Sequence, residues 1–167
     1  MHVLWAPWRM TYIKNASKTQ ACIFCEALKM RDEDALVVFR SKHAIVMLNK
    51  YPYNTAHVMI APKRHVPRPD LLTADEALDM YKALSITLRA IDNEYAPQGY
   101  NIGLNIGRIA GAGIESHMHV HVVPRWSGDA NYMPVVANTK VIPEDLLVTF
   151  KRLKKAFKEV LSCISDE

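Results

Sequence analysis

Residues 117–126 read HMHVHVVPRW, with a histidine at every second position. Side chains alternate across a β-strand, so in an extended segment His117, His119 and His121 share one face. The chain must therefore supply a sheet to carry that strand. Same-face neighbours lie roughly 6.6 Å apart along a strand, which separates the Cα atoms of His117 and His121 by roughly 13 Å. Zinc holds nitrogen ligands at about 2.1 Å. Two adjacent members can share a metal, but the outer pair can hardly join them in an intact strand, so at least one histidine has another task.

Three more segments read as strands. ALVVF (35–39), AIVML (44–48) and HVMIAP (57–62) are short and rich in β-branched residues, with the turn residues YPYNTA between the last two. The clearest helix runs from Leu71 to Tyr95. Thr73 and Glu76 form a capping box, and Ala77, Tyr81, Leu84, Leu88, Ile91 and Tyr95 recur at helical spacing. Pro97 and Gly99 end it. YNIGLNIG (100–107) is a further strand, IAGAG (109–113) a glycine-rich loop, and the histidine strand follows. Pro143 is read as the start of a last helix with Leu146, Phe150, Leu153, Phe157 and Val160 on its inner face. This order predicts an α+β fold, a mostly antiparallel sheet with a long helix and a C-terminal helix against one side.

With 167 residues the chain is expected to form one domain over 21–167, burying roughly two thirds of its unfolded surface. It is preceded by an arm over 1–20, whose Trp5, Trp8 and Tyr12 would pack on something such as a second subunit. No apolar run approaches the roughly 20 residues of a membrane span, and MHVLWAPWRMTYIK lacks the unbroken apolar core of a signal peptide. Three cysteines argue against a disulfide framework and for a reducing, cytoplasmic setting. The formal charge of +4 suits an anionic ligand. Five of the 21 basic residues fall between Lys151 and Lys158, which reads as a solvated helix face rather than a nucleic-acid surface.

Two constellations carry chemistry. IGRIAGAG, with Gly111 and Gly113, can bring several backbone N–H groups close to an anion. Beside such a loop an imidazole, with its ordinary pKa of about 6.5, suits nucleophilic attack on phosphorus while a second donates to the phosphate. The other constellation is Cys22-Ile23-Phe24-Cys25. Its spacing is that of the first half of a zinc site. A redox pair and two buried, unliganded thiols are the alternatives. Further ligands would come from His43, His57, His65 and one of the three alternating histidines. Of these, His43 reads as a surface residue, His57 suits a packed or a site histidine equally, and His65 is ambiguous by itself. Met47, Met59, Met80 and Met118 read as core filling.

HMHVHVV matches His-φ-His-φ-His-φ-φ, with φ apolar, and so resembles the signature of the histidine triad (HIT) family. LNKYPYNTAHVMIAPKRH resembles the family's first nucleotide-facing segment and NIGLNIGRIAGAG its phosphate loop, a likeness covering roughly residues 22–126. WAPWR and PRWSGDANYMPV resemble the branch of dinucleoside polyphosphate hydrolases and diadenosine tetraphosphate phosphorylases. The resemblance implies a homodimer that binds nucleotides by the α-phosphate, with no membrane or nucleic-acid partner and no organic cofactor. It makes His119 the nucleophile that forms a nucleotidyl-histidine, with His121 on the phosphate; His57, by its place at the start of a strand, is a third catalytic candidate. It places Asn49 at the ribose, Asn105 near the phosphate and Trp126 toward a partner subunit's base. Gly111, Gly113 and Ser116 complete the expected substrate contacts. It further implies zinc held by Cys22, Cys25, His65 and His117. One departure is Gly113, where the hydrolases usually carry glutamine and the phosphorylases often serine. Adenosine phosphoramidate hydrolysis and a zinc-containing nucleotide-binding module are the alternative functions.

Overall fold

The computed structural model describes residues 21–129, 136 and 141–165. The expected arm with Trp5, Trp8 and Tyr12 lies outside the described residues. Five strands form one antiparallel sheet: β1 (Val37–Arg40), β2 (Ala44–Leu48), β3 (Val58–Pro62), β4 (Gly99–Gly103) and β5 (Val120–Arg125), in the order β1-β2-β3-β5-β4. The helices are α1 (Ile23–Ala27), α2 (Asp32–Ala35), α3 (Ala74–Tyr95) and α4 (Leu146–Ser165), with a 3-10 turn over Pro69–Leu71. The class is α+β as expected. Among the described residues, no helix is long and apolar enough to cross a membrane.

Period-two alternation in β2 divides the interior. Ala44, Val46 and Leu48 face a large core that includes Val58, Ile60, Met118 and Val122 and is covered by α3 and α4. Ile45 and Met47 face a smaller cluster with Phe24, Ala27, Ala35 and Met59 on the opposite side. The long helix and the C-terminal helix thus lie against one side, as expected. α1 and α2 lie over the second face, because both faces of β1–β3 are apolar.

The α3 capping box is present: Thr73 Oγ1 accepts from the Glu76 N–H at 3.3 Å, and Glu76 Oε2 accepts from the Thr73 N–H at 2.8 Å. Glu76 also takes both arms of Arg64 at 2.8 and 2.7 Å, tying the helix start to the PKRH segment after β3. The expected inner face is displaced by about one residue. Met80, Ala83, Thr87, Ala90 and Ile91 are buried, whereas Ala77 and Tyr81 are exposed. Packing on both the sheet and α4 selects small side chains along the contact, since they allow close approach of the helix axes. In α4, Phe150, Leu153, Phe157 and Val160 are buried as expected. The helix begins at Leu146 rather than Pro143, because Asp145 Oδ1 accepts the N–H groups of Leu147 (2.8 Å) and Val148 (3.3 Å).

The histidine strand also differs from expectation. The ladder of β5 begins at Val120, so His117 and His119 sit on the segment that leads into it. There the Met118 N–H bonds to Val66 O at 2.7 Å instead of to β3. YNIGLNIG is a strand only to Gly103. Pro124 is tolerated inside β5 because β3 pairs only as far as Val122, and the Asn54 side chain donates to Pro124 O at 3.0 Å in the space beyond.

Candidate active site

The three histidines fan out toward three different partners. His117 is completely buried, and its Nε2 lies 2.8 Å from Pro62 O. A carbonyl only accepts, so Nε2 carries the proton and Nδ1 has the lone pair. Three polar atoms close on that Nδ1: Cys22 Sγ at 3.3 Å, Cys25 Sγ at 3.7 Å and His65 Nδ1 at 3.2 Å. Cys25 Sγ is also 3.2 Å from His65 Nδ1. One lone pair accepts one proton, so hydrogen bonding does not account for three partners. Ligand–ligand edges of about 3.4–3.8 Å follow from zinc bonds of about 2.1 and 2.3 Å in a tetrahedron. The four ligand atoms lie within 4.8 Å of one another, as a metal set requires. Burial, with Cys22 as close neighbour, pushes the Cys25 thiol above its ordinary value, and a divalent cation reverses that by stabilising the thiolate.

His119, 6 % exposed, places Nδ1 3.0 Å from His117 O. The same reasoning protonates Nδ1 and leaves the lone pair on Nε2. Burial holds its pKa below the ordinary histidine value, so the neutral, nucleophilic form prevails at neutral pH. Phe24 packs on the rings of both His117 (5.0 Å) and His119 (4.9 Å).

His121 belongs to a third chain of contacts. The Tyr53 N–H donates to His57 Nδ1 at 3.1 Å, and His57 Nε2 lies 2.9 Å from His121 Nδ1. His57 therefore donates from Nε2, and His121 keeps its own proton on Nε2. His57 is completely buried and stacked on Tyr53 at 4.8 Å. Burial first, then the neighbouring His121 and His119, lower its pKa to about 3, so it stays neutral.

His119 and His121 line a cleft of about 400 Å³. Gly111 and Gly113 of the glycine loop and Asn49 also line the cleft. Apolar side chains such as Ile23, Met30, Leu36 and Met47 line much of the rest. Gly111 has φ +90, a conformation that favours glycine, and its carbonyl accepts from Asn105 Nδ2 at 3.3 Å. Asn105 thus shapes the loop from behind. Asn49 Oδ1 accepts the Tyr51 N–H at 2.9 Å, and its backbone N–H bonds to His57 O.

Not every expected site residue meets in this cleft. Ser116 is exposed and outside its lining. Trp126 is half-buried elsewhere and donates its indole N–H to Tyr95 O at 3.2 Å. His57 stands behind His121 rather than in the lining. His43 is half-buried, not on the surface, with its backbone N–H on Asp79. Met47, Met59, Met80 and Met118 are buried as expected, and Met47 and Met59 also line the cleft. Sequence reasoning missed Phe24 and Tyr53. Phe24 stood in plain view between the two cysteines, but spacing arguments treat such residues as filler.

A family model for the HIT domain matches residues 30–128. An AP-4-A phosphorylase from Mycobacterium tuberculosis is 41 % identical over 158 residues, covering 90 % of this chain and 80 % of its own length. A bis(5'-nucleosyl)-tetraphosphatase (asymmetrical) from Schizosaccharomyces pombe is 32 % identical over 93 residues, covering 56 % of this chain and 50 % of its own. Among solved structures, a zinc-bound histidine triad family protein from Mycobacterium smegmatis has a TM-score of 0.62 at 19 % identity, covering 92 % of this chain and 96 % of that one. That likeness concerns the fold.

Proposed function

The chain belongs to the HIT domain family, and on that premise we propose that it cleaves dinucleoside polyphosphates at the α-phosphate through a covalent bond to His119. The observation that carries this reading is the His119 Nδ1 to His117 O contact of 3.0 Å, which leaves the Nε2 lone pair on a residue that lines the cleft. On diadenosine tetraphosphate, Nε2 attacks the α-phosphorus, the bond to the bridging oxygen breaks, and ATP leaves with the electron pair. The Nε2–H of His121 donates to the phosphate oxygens, with the chain Tyr53–His57–His121 holding that tautomer. Asn49 takes the ribose side, and the loop glycines Gly111 and Gly113 let the backbone approach the phosphates. Asn105 and His57 act through Gly111 and His121 respectively.

The 41 % identity to an AP-4-A phosphorylase supports inorganic phosphate as the acceptor. Phosphate attacks the same phosphorus, the P–N bond returns its pair to Nε2, and ADP leaves. Water in the same role releases AMP. The test is product analysis on diadenosine tetraphosphate with and without phosphate: ADP plus ATP are expected with phosphate, and AMP plus ATP under both conditions would overturn the choice of acceptor. His119→Ala should reduce turnover by at least about 10³-fold while retaining nucleotide binding. Full activity in that variant would end the covalent mechanism.

Cys22, Cys25, His65 and His117 would hold Zn²⁺, a structural ion that balances two thiolates and fixes the strand approach. Two reduced thiols suit a cytoplasmic setting. Two copies are proposed to associate through β4, one of the two edge strands, whose Ile102 is exposed. Sedimentation velocity at dilute concentration distinguishes dimer from monomer.

A further inference from the structure

The stretch Cys22–Cys25 serves three different neighbours. Cys22 and Cys25 point into the metal set. Phe24, completely buried, lies against the imidazoles of His117 and His119. Ile23, 42 % exposed, turns to the cleft and lines it together with Glu26 and Ala27 one turn on. One short segment therefore touches the metal set, the nucleophile and the substrate space at once.

α1 has only five residues and no side-chain N-cap. Helices shorter than about 12 residues are marginal in water, so contacts outside α1 must hold it. Its C-terminal side has such contacts without any metal: Arg40 Nη2 donates to Ala27 O at 2.9 Å and to Met30 O at 3.3 Å, while Arg40 Nε pairs with Asp32 at 2.7 Å. Its N-terminal side has Phe24 in the second core cluster and the two cysteines. The cysteines converge there with His117, whose own carbonyl orients His119.

We propose that α1 is a metal-held wall of the cleft: an ion at Cys22, Cys25, His65 and His117 sets Ile23 against the nucleoside part of the substrate and Phe24 against the ring of His119. Affinity and nucleophile position are thereby coupled to metal occupancy, and Ile23 and Phe24 are a specificity-determining and a positioning residue respectively. This rests on the nucleotide-cleaving reading for the identity of the ligand. Because Arg40 anchors the far end, loss of the ion releases the Cys22–Phe24 end of α1 and leaves Ala27 in place.

The test uses the full chain, zinc-loaded and then chelated. Amide hydrogen exchange is read without nucleotide. The Glu26 N–H on Cys22 O (3.0 Å) should lose protection on chelation and regain it when zinc returns, while β2 and β3 stay protected. Affinity for AMP and for a methylene-bridged diadenosine tetraphosphate, measured by calorimetry, should fall about tenfold with the metal removed. In zinc-loaded protein, Ile23→Ala should raise KM more than it lowers kcat, and Phe24→Leu should lower kcat more than it raises KM. Unchanged exchange and affinity on chelation would overturn the proposal, as would Ile23→Ala and Phe24→Leu variants that match wild type in both constants. Should Phe24→Leu fail to fold, Ile23→Ala, altered at a partly exposed side chain, decides the kinetic arm. A wild-type protein that cleaves no dinucleoside polyphosphate but shows zinc-dependent protection of α1 and zinc-dependent AMP affinity would overturn the activity and uphold the wall.

Discussion

The two faces of the sheet are built on opposite plans. Under α3 and α4 lies a continuous aliphatic and aromatic core in which Leu153, Val122, Val58 and Ile91 are completely buried. The opposite face has a much smaller apolar cluster, two short helices and the imidazoles. Packing on the first face needs only shape and apolar area. On the second face each buried polar atom needs a named partner, and the hydrogen bonds of His117, His119 and His57 are those partners. Stability is concentrated on one side and chemistry on the other, so the strand β5 and its approach can present histidines without weakening the frame.

Substitutions on each face can break that division. Leu153→Ala, in the large core, should destabilise the protein by about 2–5 kcal/mol in urea unfolding while leaving KM in the folded protein unchanged. A kinetic effect without a stability effect would contradict the comparison. On the other face, Cys22→Ser should abolish stoichiometric zinc, read by metal analysis, and lower Tm by less than Leu153→Ala does. Equal losses would mean that the metal set belongs to the main core. His57→Gln removes a neutral hydrogen bond worth about 1 kcal/mol. It should therefore lower kcat about fivefold with KM little changed, and an unchanged kcat would remove His57 from the supporting chain.

The remaining test is the pH dependence of stability. His57 titrates near 3 in the folded protein and near 6.5 when unfolded. Between those values the unfolded chain binds more protons, so stability rises with pH across that window. The contribution is complete above about pH 6.5 and is lost as pH falls toward 3. Urea midpoints at pH 7.5, 5.5 and 4.5 should fall in that order, and His57→Phe should flatten the slope. An equal slope in the variant would assign the effect to other groups.

Local signals were readable where a short-range rule acts by itself. The Thr73–Glu76 capping box, the inner face of α4 and the strands β2 and β3 all depend on neighbours within a few residues. The buried stripe of α3 was misread because its period admits two adjacent faces, and only the sheet and α4 select the one with small side chains. Ser116 lies outside the cleft lining, and Trp126, expected at a partner subunit's base, donates its indole N–H to Tyr95 O within this chain. Phe24 and Tyr53 were missed because their importance is a matter of ring contacts made across the fold.

From the sequence alone came the conclusion that three alternating imidazoles on an extended segment could hardly serve one metal, because strand rise separates the outer pair too far. The family resemblance then allotted His117 to the metal and His119 to phosphorus. Tertiary structure decided how each is held. Pro62 O takes the Nε2 proton of His117, His117 O takes the Nδ1 proton of His119, and His57 supplies the proton facing His121 Nδ1. Those partners lie up to 64 residues away in the chain. A tautomer is set by whichever atom packs against each ring nitrogen, and folding alone brings that atom there.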